Sequence, residues 1–300
     1  MAGNVEGTES ASFTITSGTT TTLSSSLNPA PSGKSVVFTA VVAPKLGGTP
    51  TGTVTFKDGA TVLATHSLSA GKTTYATTTL AVGSHSITAT YNGATYFTTS
   101  GGSLTEKIEN STTTTLASSL NPSEFGQSVT FTATITHTGT GTPTGTVTFK
   151  NGTVVLGTGT VSGGKATLST STLTVAAVHS ITAVYSGDSN FTGSTSAVLK
   201  QAVNKANTST TVKSSLNPST SGTTVTFTAT VKSSTTGTPT GTVNFMDGAT
   251  KLGSHALSGG VAAFSTSKLT TGTHSITAVY VASADYNTST STVLSQKVNP

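Results

Sequence analysis

Residues 129–151 read VTFTATITHTGTGTPTGTVTFKN, and this stretch decides the fold. Its first seven residues alternate apolar side chains with threonine, which is the two-residue period of a strand that buries one face. Residues 141–145 then supply a turn, because glycine tolerates positive φ and proline fixes its own φ. Val147 and Phe149 resume the alternation, and Asn151-Gly152 is a strong hairpin signal. The stretch therefore predicts two strands joined by a turn and followed by a hairpin.

The same stretch occurs three times along the chain. GTPTGTV begins at Gly48, Gly141 and Gly237, which are 93 and 96 residues apart. Two unrelated markers keep this register. Leu-Asn-Pro begins at Leu27, Leu120 and Leu216, and HSITA begins at His85, His179 and His274. A period near 95 residues exceeds the roughly 20 to 50 residues of solenoid units, so we expect each copy to be a whole domain with its own core.

The remaining strands can be followed within the second copy. A threonine-rich run ends at Leu120-Asn-Pro, because proline lacks a backbone donor and restricts the residue before it. After the hairpin come a return strand, a glycine turn and a fifth strand that ends at Leu173. A sixth strand begins at His179, and a seventh runs from Thr195 to Val203. Seven short strands in this order predict an all-β chain of immunoglobulin-like seven-stranded sandwiches.

The register of the markers also predicts the domain boundaries. Residues 1–17 form an N-terminal strand that resembles the tail of a preceding repeat, and residues 18–109, 110–205 and 206–300 form Ig-like repeats 1, 2 and 3. Short linkers should limit bending between the repeats. Three such domains end to end predict an elongated rod, roughly 100 to 120 Å long.

The composition agrees with this organisation and excludes several functions. Threonine accounts for 72 of the 300 residues, which suits β-strands. Charged residues make up only 8%, and the 14 basic residues are all lysines spread singly, which disfavours a nucleic-acid partner. The absence of cysteine removes disulfides, thiolate metal ligands and thiol nucleophiles.

No membrane segment is predicted. No apolar run approaches the roughly 20 residues that span a bilayer, and the start, MAGNVEGTES, lacks the basic and apolar regions of a signal peptide. We therefore expect no membrane insertion within this chain and an export signal outside it.

The chain resembles a known family at LNP, GTPTGTVTFKNG, SGGKATLST and HSITAVYSGDSNFTGS. These motifs are similar to those of the bacterial immunoglobulin-like domain repeats, group 3, found in tandem in large secreted and surface-attached bacterial proteins. The resemblance covers residues 18–300 and implies an extracellular or cell-surface location and a structural or adhesive role. It brings no common catalytic residues, and the Cys pair and core Trp of antibody domains are missing.

The N-terminal segment suggests a role in assembly. Glu9–Thr16, read as ESASFTIT, resembles the seventh strands near Thr195 and Thr290 and precedes a new threonine-rich strand. The chain is therefore either a piece of a longer array or a subunit with a spare strand. The candidate assembly residues are Ser10, Ser12, Phe13 and Ile15.

Two sets of aligned residues are interpreted as structural. His85, His179 and His274 each begin a sixth strand, where related sandwiches place a corner tyrosine, and one histidine per domain cannot assemble a multi-histidine site. Tyr91, Tyr185 and Tyr280 follow six residues later on the same face and are predicted core residues.

No catalytic or cofactor-binding residue is predicted. Nucleophilic catalysis needs a nucleophile, a base and an orienting acid together, and the nine acids form no paired pattern common to the copies. We therefore expect no enzyme activity and no cofactor. Asp188 and Asp285 are weak calcium candidates, because calcium requires several clustered oxygens and the first copy has Ala94 and Thr95 in that loop.

Three functions remain open from the sequence. The leading hypothesis is a passive spacer or adhesive stalk whose partners are neighbouring Ig-like repeats, with a cell-surface or glycan ligand as a further candidate partner. The second is a subunit of an extracellular filament, in which Glu9–Thr16 adds to a sheet edge of another copy. The third is a ligand- or glycan-binding or ice-binding surface, which would need threonines in register on one exposed face of every copy.

Overall fold

The described part of the chain is built from β-strands alone. The structure is a computed structural model that describes residues 14–175 and 178–300. Every regular element in these ranges is a strand, as the richness in threonine and other β-branched residues predicts. Within the same ranges, no helix has the length and apolar character needed to cross a membrane.

Repeat 1 consists of two sheets. Its strands are β1 Thr19–Ser25, β2 Ala30–Pro31, β3 Val36–Pro44, β4 Thr53–Asp58, β5 Thr61–Ser67, β6 Lys72–Thr77, β7 Gly83–Tyr91 and β8 Ser100–Glu109. One sheet has the order β1-β3-β6 and the other β2-β8-β7-β4-β5. Strands β2 and β8 are parallel, and the other pairs are antiparallel. Because consecutive strands β3 and β4 lie in different sheets, the repeat has the two-sheet topology of an Ig-like sandwich.

Repeat 2 has the same plan with a more interrupted last strand. Its strands are β9 Thr112–Ser118, β10 Ser123–Glu124, β11 Val129–His137, β12 Thr146–Asn151, β13 Val154–Thr160, β14 Lys165–Thr170, β15 His179–Tyr185, β16 Ser194–Thr195, β17 Leu199–Gln201 and β18 Val203–Asn204. One sheet has the order β14-β11-β9 and another β13-β12-β15-β16, with β17 also paired to β15. Strands β10 and β18 form a parallel pair.

Repeat 3 repeats the arrangement. Its strands are β19 Thr208–Ser214, β20 Ser219–Thr220, β21 Val225–Ser233, β22 Thr242–Asp247, β23 Thr250–Ala256, β24 Val261–Thr266, β25 Gly272–Tyr280, β26 Ser289–Thr290 and β27 Leu294–Asn299. The sheets have the orders β19-β21-β24 and β20-β27-β25-β22-β23, with β26 also paired to β25.

The core of each repeat comes from the apolar residues that alternate with threonine. In repeat 2, Phe131 on β11 and Phe149 on β12 are fully buried, as is Ile181 on β15. The same positions are fully buried in the other repeats: Phe38, Phe56, Ile87, Phe227, Phe245 and Ile276. Because these buried positions recur in all three repeats, each repeat has an apolar core of its own. Burial stabilises each such side chain by about 1.5–3 kcal/mol relative to exposure.

The strand ends differ from the sequence-based expectation in two places. The fifth strand of repeat 2 ends at Thr170, and Leu173, which was expected to end it, is a buried residue beyond it. After each Leu-Asn-Pro a two-residue strand forms and pairs with the last strand of the repeat. The segment that contains Leu-Asn-Pro therefore ends a strand of one sheet and leads into a strand of the other sheet.

The described chain divides into two compact units. The first contains residues up to 113 together with 136–144 and 186–194, and the second contains 114–135, 145–185 and 195–300, without residues 176 and 177. Each contact between repeats described below lies within one of these units.

Candidate functional site

His85 lies on β7 beside the end of β4. Its Nδ1 donates to a carboxylate oxygen of Asp58 over 2.6 Å, and its Nε2 donates to the Ala81 carbonyl over 2.8 Å. Both ring nitrogens then carry a proton, which favours the imidazolium cation. Burial lowers the pKa of His85, but the hydrogen bonds to Ala81 and Asp58 and the charge of Asp58 outweigh burial and raise it above 6.5.

His274 repeats this arrangement on β25. Its Nε2 donates to the Thr270 carbonyl over 2.8 Å, and its Nδ1 donates to Asp247 over 2.6 Å. These two hydrogen bonds outweigh burial and raise the pKa of His274 above 6.5. Asp58 and Asp247, which stand directly before Gly59 and Gly248 at the hairpin turns, therefore also hold the histidines.

His179 is held differently, because Asn151 replaces the aspartate. The Asn151 Oδ1 accepts from the Ser180 backbone N–H, which directs its Nδ2 to the His179 Nδ1 at 2.9 Å. The ring Nδ1 is then an acceptor, and Nε2 donates to the Thr174 carbonyl over 2.9 Å. This geometry fits a neutral imidazole. In all three repeats both ring nitrogens are engaged, which leaves none to act as a catalytic base.

The buried tyrosines explain the Gly-Thr-Pro-Thr-Gly motif. The Tyr91 hydroxyl donates to the Thr51 carbonyl over 2.6 Å, and the Tyr280 hydroxyl donates to the Thr240 carbonyl over 2.7 Å. Tyr185 is equally buried, at 1% exposure. Gly52, which follows Thr51, has a φ of 95°, and a Cβ there would lie 2.7 Å from a backbone oxygen. The motif therefore presents a carbonyl to a core tyrosine through a backbone that only glycine accommodates.

The asparagine of Leu-Asn-Pro has a role that the sequence analysis missed. The Asn28 Nδ2 donates to the Thr105 carbonyl over 2.6 Å, and its Oδ1 accepts from the Lys107 N–H over 3.1 Å. Asn121 and Asn217 make the same pair of bonds in their own repeats. Each asparagine side chain thus pairs with the last strand of its repeat as a backbone residue would, through one C=O and one N–H of that strand. The signal was visible as the recurrence of asparagine itself.

Repeats 2 and 3 meet at an interface of side chains that the sequence analysis also missed. The Glu124 carboxylate accepts from the Asn207 Nδ2 over 3.0 Å and from the Ser234 hydroxyl over 3.1 Å. The Thr235 hydroxyl donates to the Phe125 carbonyl over 2.5 Å, and the Thr236 hydroxyl donates to the Gly126 carbonyl.

An aromatic contact completes this interface. The Phe125 ring meets the Tyr286 ring edge to face, with centroids 5.5 Å apart, and packs against the core of repeat 3. The signal in the sequence was the second and third residues after Leu-Asn-Pro, which are Glu124-Phe125 in repeat 2 but Pro31-Ser32 in repeat 1 and Thr220-Ser221 in repeat 3.

The junction of repeats 1 and 2 is more open. Asn110, the first residue of repeat 2, is paired within that repeat, since its N–H donates to the Asn190 carbonyl and its carbonyl accepts from the Thr192 N–H. An open pocket of about 420 Å³ lies between Ser32 and Val82 of repeat 1 and the loops of repeat 2 that carry Thr140 and Phe191. Ser32, at the position of Phe125, is too small to fill this space.

Of the two calcium candidates, Asp188 has its carboxylate engaged within the protein, and Asp285 takes part in a backbone hydrogen bond. The Asp188 carboxylate accepts from the backbone N–H and hydroxyl of Thr144 and from the N–H groups of Asn190 and Phe191. Burial raises its pKa, but these donors outweigh burial and lower it. The Asp285 carbonyl accepts from the Ala206 N–H. Across residues 14–175 and 178–300, no three acidic or histidine side chains gather closely enough to hold a metal ion.

The candidate assembly strand falls mostly outside the described residues. Ser10, Ser12 and Phe13 lie there. Ile15 is described, is 66% exposed and belongs to no strand. Ser17 is held against repeat 1, because its N–H donates to the Tyr96 carbonyl over 2.8 Å.

The threonine surface differs between repeats. Thr130, Thr132 and Thr134 lie half-buried on the outer face of β11, whereas Val37 and Val41 take two of the corresponding places in repeat 1. The face is therefore not a uniform threonine array in every copy.

Two sheets per repeat, the histidine and tyrosine anchors and the three copies define a tandem Ig-like protein. The sequence model of the bacterial Ig-like domain (group 3) matches residues 22–109, 114–204 and 211–299. The chain belongs to this family, and the resemblance seen in its motifs is confirmed, as is its division into three tandem all-β Ig-like domains.

Solved structures give more distant likenesses. The Escherichia coli adhesin FdeC is 14% identical, with 96% of this chain and 98% of that chain covered at a TM-score of 0.30. Three N-terminal domains of the bacteriophage RB49 outer capsid protein Hoc are 16% identical, with 94% and 100% covered at 0.35. An ICAM-5 ectodomain fragment is 15% identical, with 93% and 76% covered at 0.41. Since these TM-scores are all below 0.5, the fold assignment rests on the family match and the sheets.

No curated protein matches the chain. Domains of this family and fold are typically non-catalytic, and bacterial Ig-like domains typically occur in secreted or surface proteins. Family membership therefore supports a structural module.

Proposed function

We propose that the chain is a spacer or adhesive stalk module of a secreted or cell-surface protein, with neighbouring Ig-like repeats as its immediate partners. A spacer has to hold each domain in a fixed position relative to the next, so its junctions need contacts beyond the linker itself. Its surface needs no catalytic group.

The interface between repeats 2 and 3 is the observation that carries this proposal. Glu124 and Phe125 hold repeat 3 through hydrogen bonds to two side chains and through the ring of Tyr286. An aromatic contact between a half-buried ring and a buried one, with hydrogen bonds beside it, is typical of a specific interface. The backbone of both residues is bonded within repeat 2, whereas the Glu124 carboxylate and the Phe125 ring contact repeat 3, which is why we assign these side chains to coupling.

Small-angle X-ray scattering of the purified chain tests the spacer proposal. Three domains in succession should give a maximum dimension of roughly 100–120 Å. A compact globule of this length would have a radius of gyration near ~19 Å. A measured radius of gyration close to that of the globule would overturn the spacer proposal.

Strand donation to another copy is the second candidate function. Ile15 stands two residues before Ser17, as Ile108 stands two residues before Asn110. Ser17 bridges to Phe97 in repeat 1, and Asn110 bridges to Phe191 at the matching place in repeat 2. Ile108 is 2% exposed and pairs with Ala30, whereas Ile15 is 66% exposed. An apolar residue left uncovered at this position favours a partner that supplies a sheet edge for it.

Deletion of residues 1–16 tests the second candidate and leaves Ser17 in place. If the full chain forms polymers by sedimentation and electron microscopy and the shortened chain remains monomeric, strand donation is supported. Polymers of unchanged length after the deletion would reject it. A full chain that is monomeric at high concentration would reject it as well.

A further inference from the structure

One buried position on the last strand differs in its chemistry between the repeats. Glu106, Gln201 and Gln296 occupy it, and each lies directly opposite the recurring histidine of its repeat, namely His85, His179 and His274. All three of these polar side chains are completely buried. Repeat 1 therefore carries an ionisable acid where the other two carry a neutral amide.

The two glutamines use their amide as a donor. The Gln201 Nε2 donates to the Leu120 carbonyl over 2.9 Å, and the Gln296 Nε2 donates to the Leu216 carbonyl over 2.9 Å. The Oε1 of Gln296 has no partner, whereas that of Gln201 accepts from Ser118. Both glutamines therefore donate to the leucine carbonyl of Leu-Asn-Pro. This bond holds the last strand against the segment in which the chain crosses from one sheet to the other.

Glu106 lacks this bond when it is ionised. Neither of its carboxylate oxygens has a hydrogen-bond partner, and an ionised carboxylate has no proton to give to the Leu27 carbonyl, which corresponds to the carbonyls of Leu120 and Leu216. Ala30 stands where the other repeats have Ser123 and Ser219, so a nearby hydroxyl is also missing. A buried, unpartnered charge is costly, and protonation removes it.

Two groups that face Glu106, Ser25 and His85, both act against the effect of its burial. From β1, Ser25 lies near enough to favour the ionised carboxyl, although its hydroxyl donates to the Leu27 carbonyl over 3.2 Å. From β7 comes His85, which is itself bonded to Asp58. On its own strand, Lys107 is paired with Glu109. Burial raises the pKa of Glu106 and outweighs Ser25 and His85, so the pKa lies above 4.5.

We propose that Glu106 is a proton-operated latch: as a neutral acid it donates to the Leu27 carbonyl as the glutamines do, and on losing its proton it releases the last strand of repeat 1. Repeat 1 then gains stability in acid from this side chain, a contribution that Gln201 and Gln296 cannot make in the other two repeats. Because the folded state binds this proton more tightly than the unfolded chain, the contribution is fully present below the ordinary glutamate range and is lost as pH rises through the folded-state pKa.

The sharpest test exchanges the two side chains in the full chain. Glu106→Gln should raise the unfolding midpoint of repeat 1 by about 5 °C at pH 7.5 and leave it unchanged at pH 4. The reciprocal Gln296→Glu should lower the midpoint of repeat 3 at pH 7.5 and recover it in acid. Amide signals in two-dimensional NMR spectra report on each repeat separately during heating.

His85 also loses a proton as pH rises, and repeat 3 controls for it, because His274 and Asp247 form the same pair without a glutamate. Direct titration of the Glu106 carboxyl carbon by NMR should give a midpoint above 4.5, and Ala30→Ser, which restores the hydroxyl, should lower that midpoint. A midpoint at or below 4.5, or an unchanged pH profile in Glu106→Gln, would overturn the latch. If Glu106→Gln fails to fold, the profile of Gln296→Glu decides.

Discussion

Repeat 2 keeps every marker motif of repeats 1 and 3, but two of the places where it differs from both lie in the contacts described above. It carries Glu124-Phe125 where the others have Pro-Ser and Thr-Ser, and Asn151 where the others have Asp58 and Asp247. Glu124-Phe125 follows Leu-Asn-Pro and contacts repeat 3. Asn151 is hydrogen-bonded to the histidine of repeat 2. The shared motifs therefore specify the sandwich, and the residues that vary decide coupling and charge.

The largest effect is expected at Phe125. Phe125→Ala removes the ring that packs on Tyr286 and the core of repeat 3, and should lower the free energy of unfolding by about 2 kcal/mol. Urea unfolding monitored by NMR signals of repeats 2 and 3 measures the loss. Ser221→Ala, at the matching position of repeat 3, is the control and should change stability little. Equal effects of both variants would show that the junction is not special.

The next effect concerns the charged histidine pair of repeat 3. Asp247→Asn copies repeat 2 and should lower the free energy of unfolding by about 1 kcal/mol in mild acid. The raised pKa of His274 means that the folded state holds this proton more tightly, so the contribution is full below pH 6.5 and is lost as pH rises through the folded-state pKa. Stability curves at several pH values should differ between variant and parent below that range and converge above it.

The reverse exchange in repeat 2 should give a smaller gain. Asn151→Asp places a carboxylate beside the His179 Nδ1 and should raise the pKa of that histidine. The expected stabilisation is about 0.5 kcal/mol near pH 6, because the new pair replaces a hydrogen bond that already exists. NMR titration of the ring of His179 measures the shift directly. If the ring titrates as it does in the parent, the difference between the repeats has another origin.

The smallest effect is expected at Glu124. Glu124→Gln keeps an acceptor for Asn207 or Ser234 but removes the negative charge, and should cost about 0.5 kcal/mol. The loss should shrink at high salt if charge is the cause. Matched unfolding curves at low and high salt provide the test, and a loss larger than that of Phe125→Ala would reverse the ranking of the two contacts.

Much of the fold followed from local patterns. Alternation around Phe131 and the turn at Asn151-Gly152 indicated strands and a hairpin, because both depend on neighbours along the chain. The end of the fifth strand was missed, since Leu173 is buried beyond the strand and burial alone does not distinguish the two cases.

The contacts of the candidate sites were harder to predict from the sequence. The recurrence of His85, Asn28 and Tyr91 marked these positions as important, but their partners at Asp58, Lys107 and Thr51 lie far away along the chain. Phe125 was unremarkable in the sequence because its partner belongs to another repeat.

The sequence by itself determined that the chain is all-β, that it contains three copies of one Ig-like unit, and which family it belongs to, because alternation, turn residues and register are properties of residues close together in the chain. Only the tertiary structure decided that Asn28 completes the last strand, that Phe125 fills a junction and that Glu106 is buried opposite a histidine. These depend on distance and on access to water between residues that the fold brings together, and the sequence order does not record either.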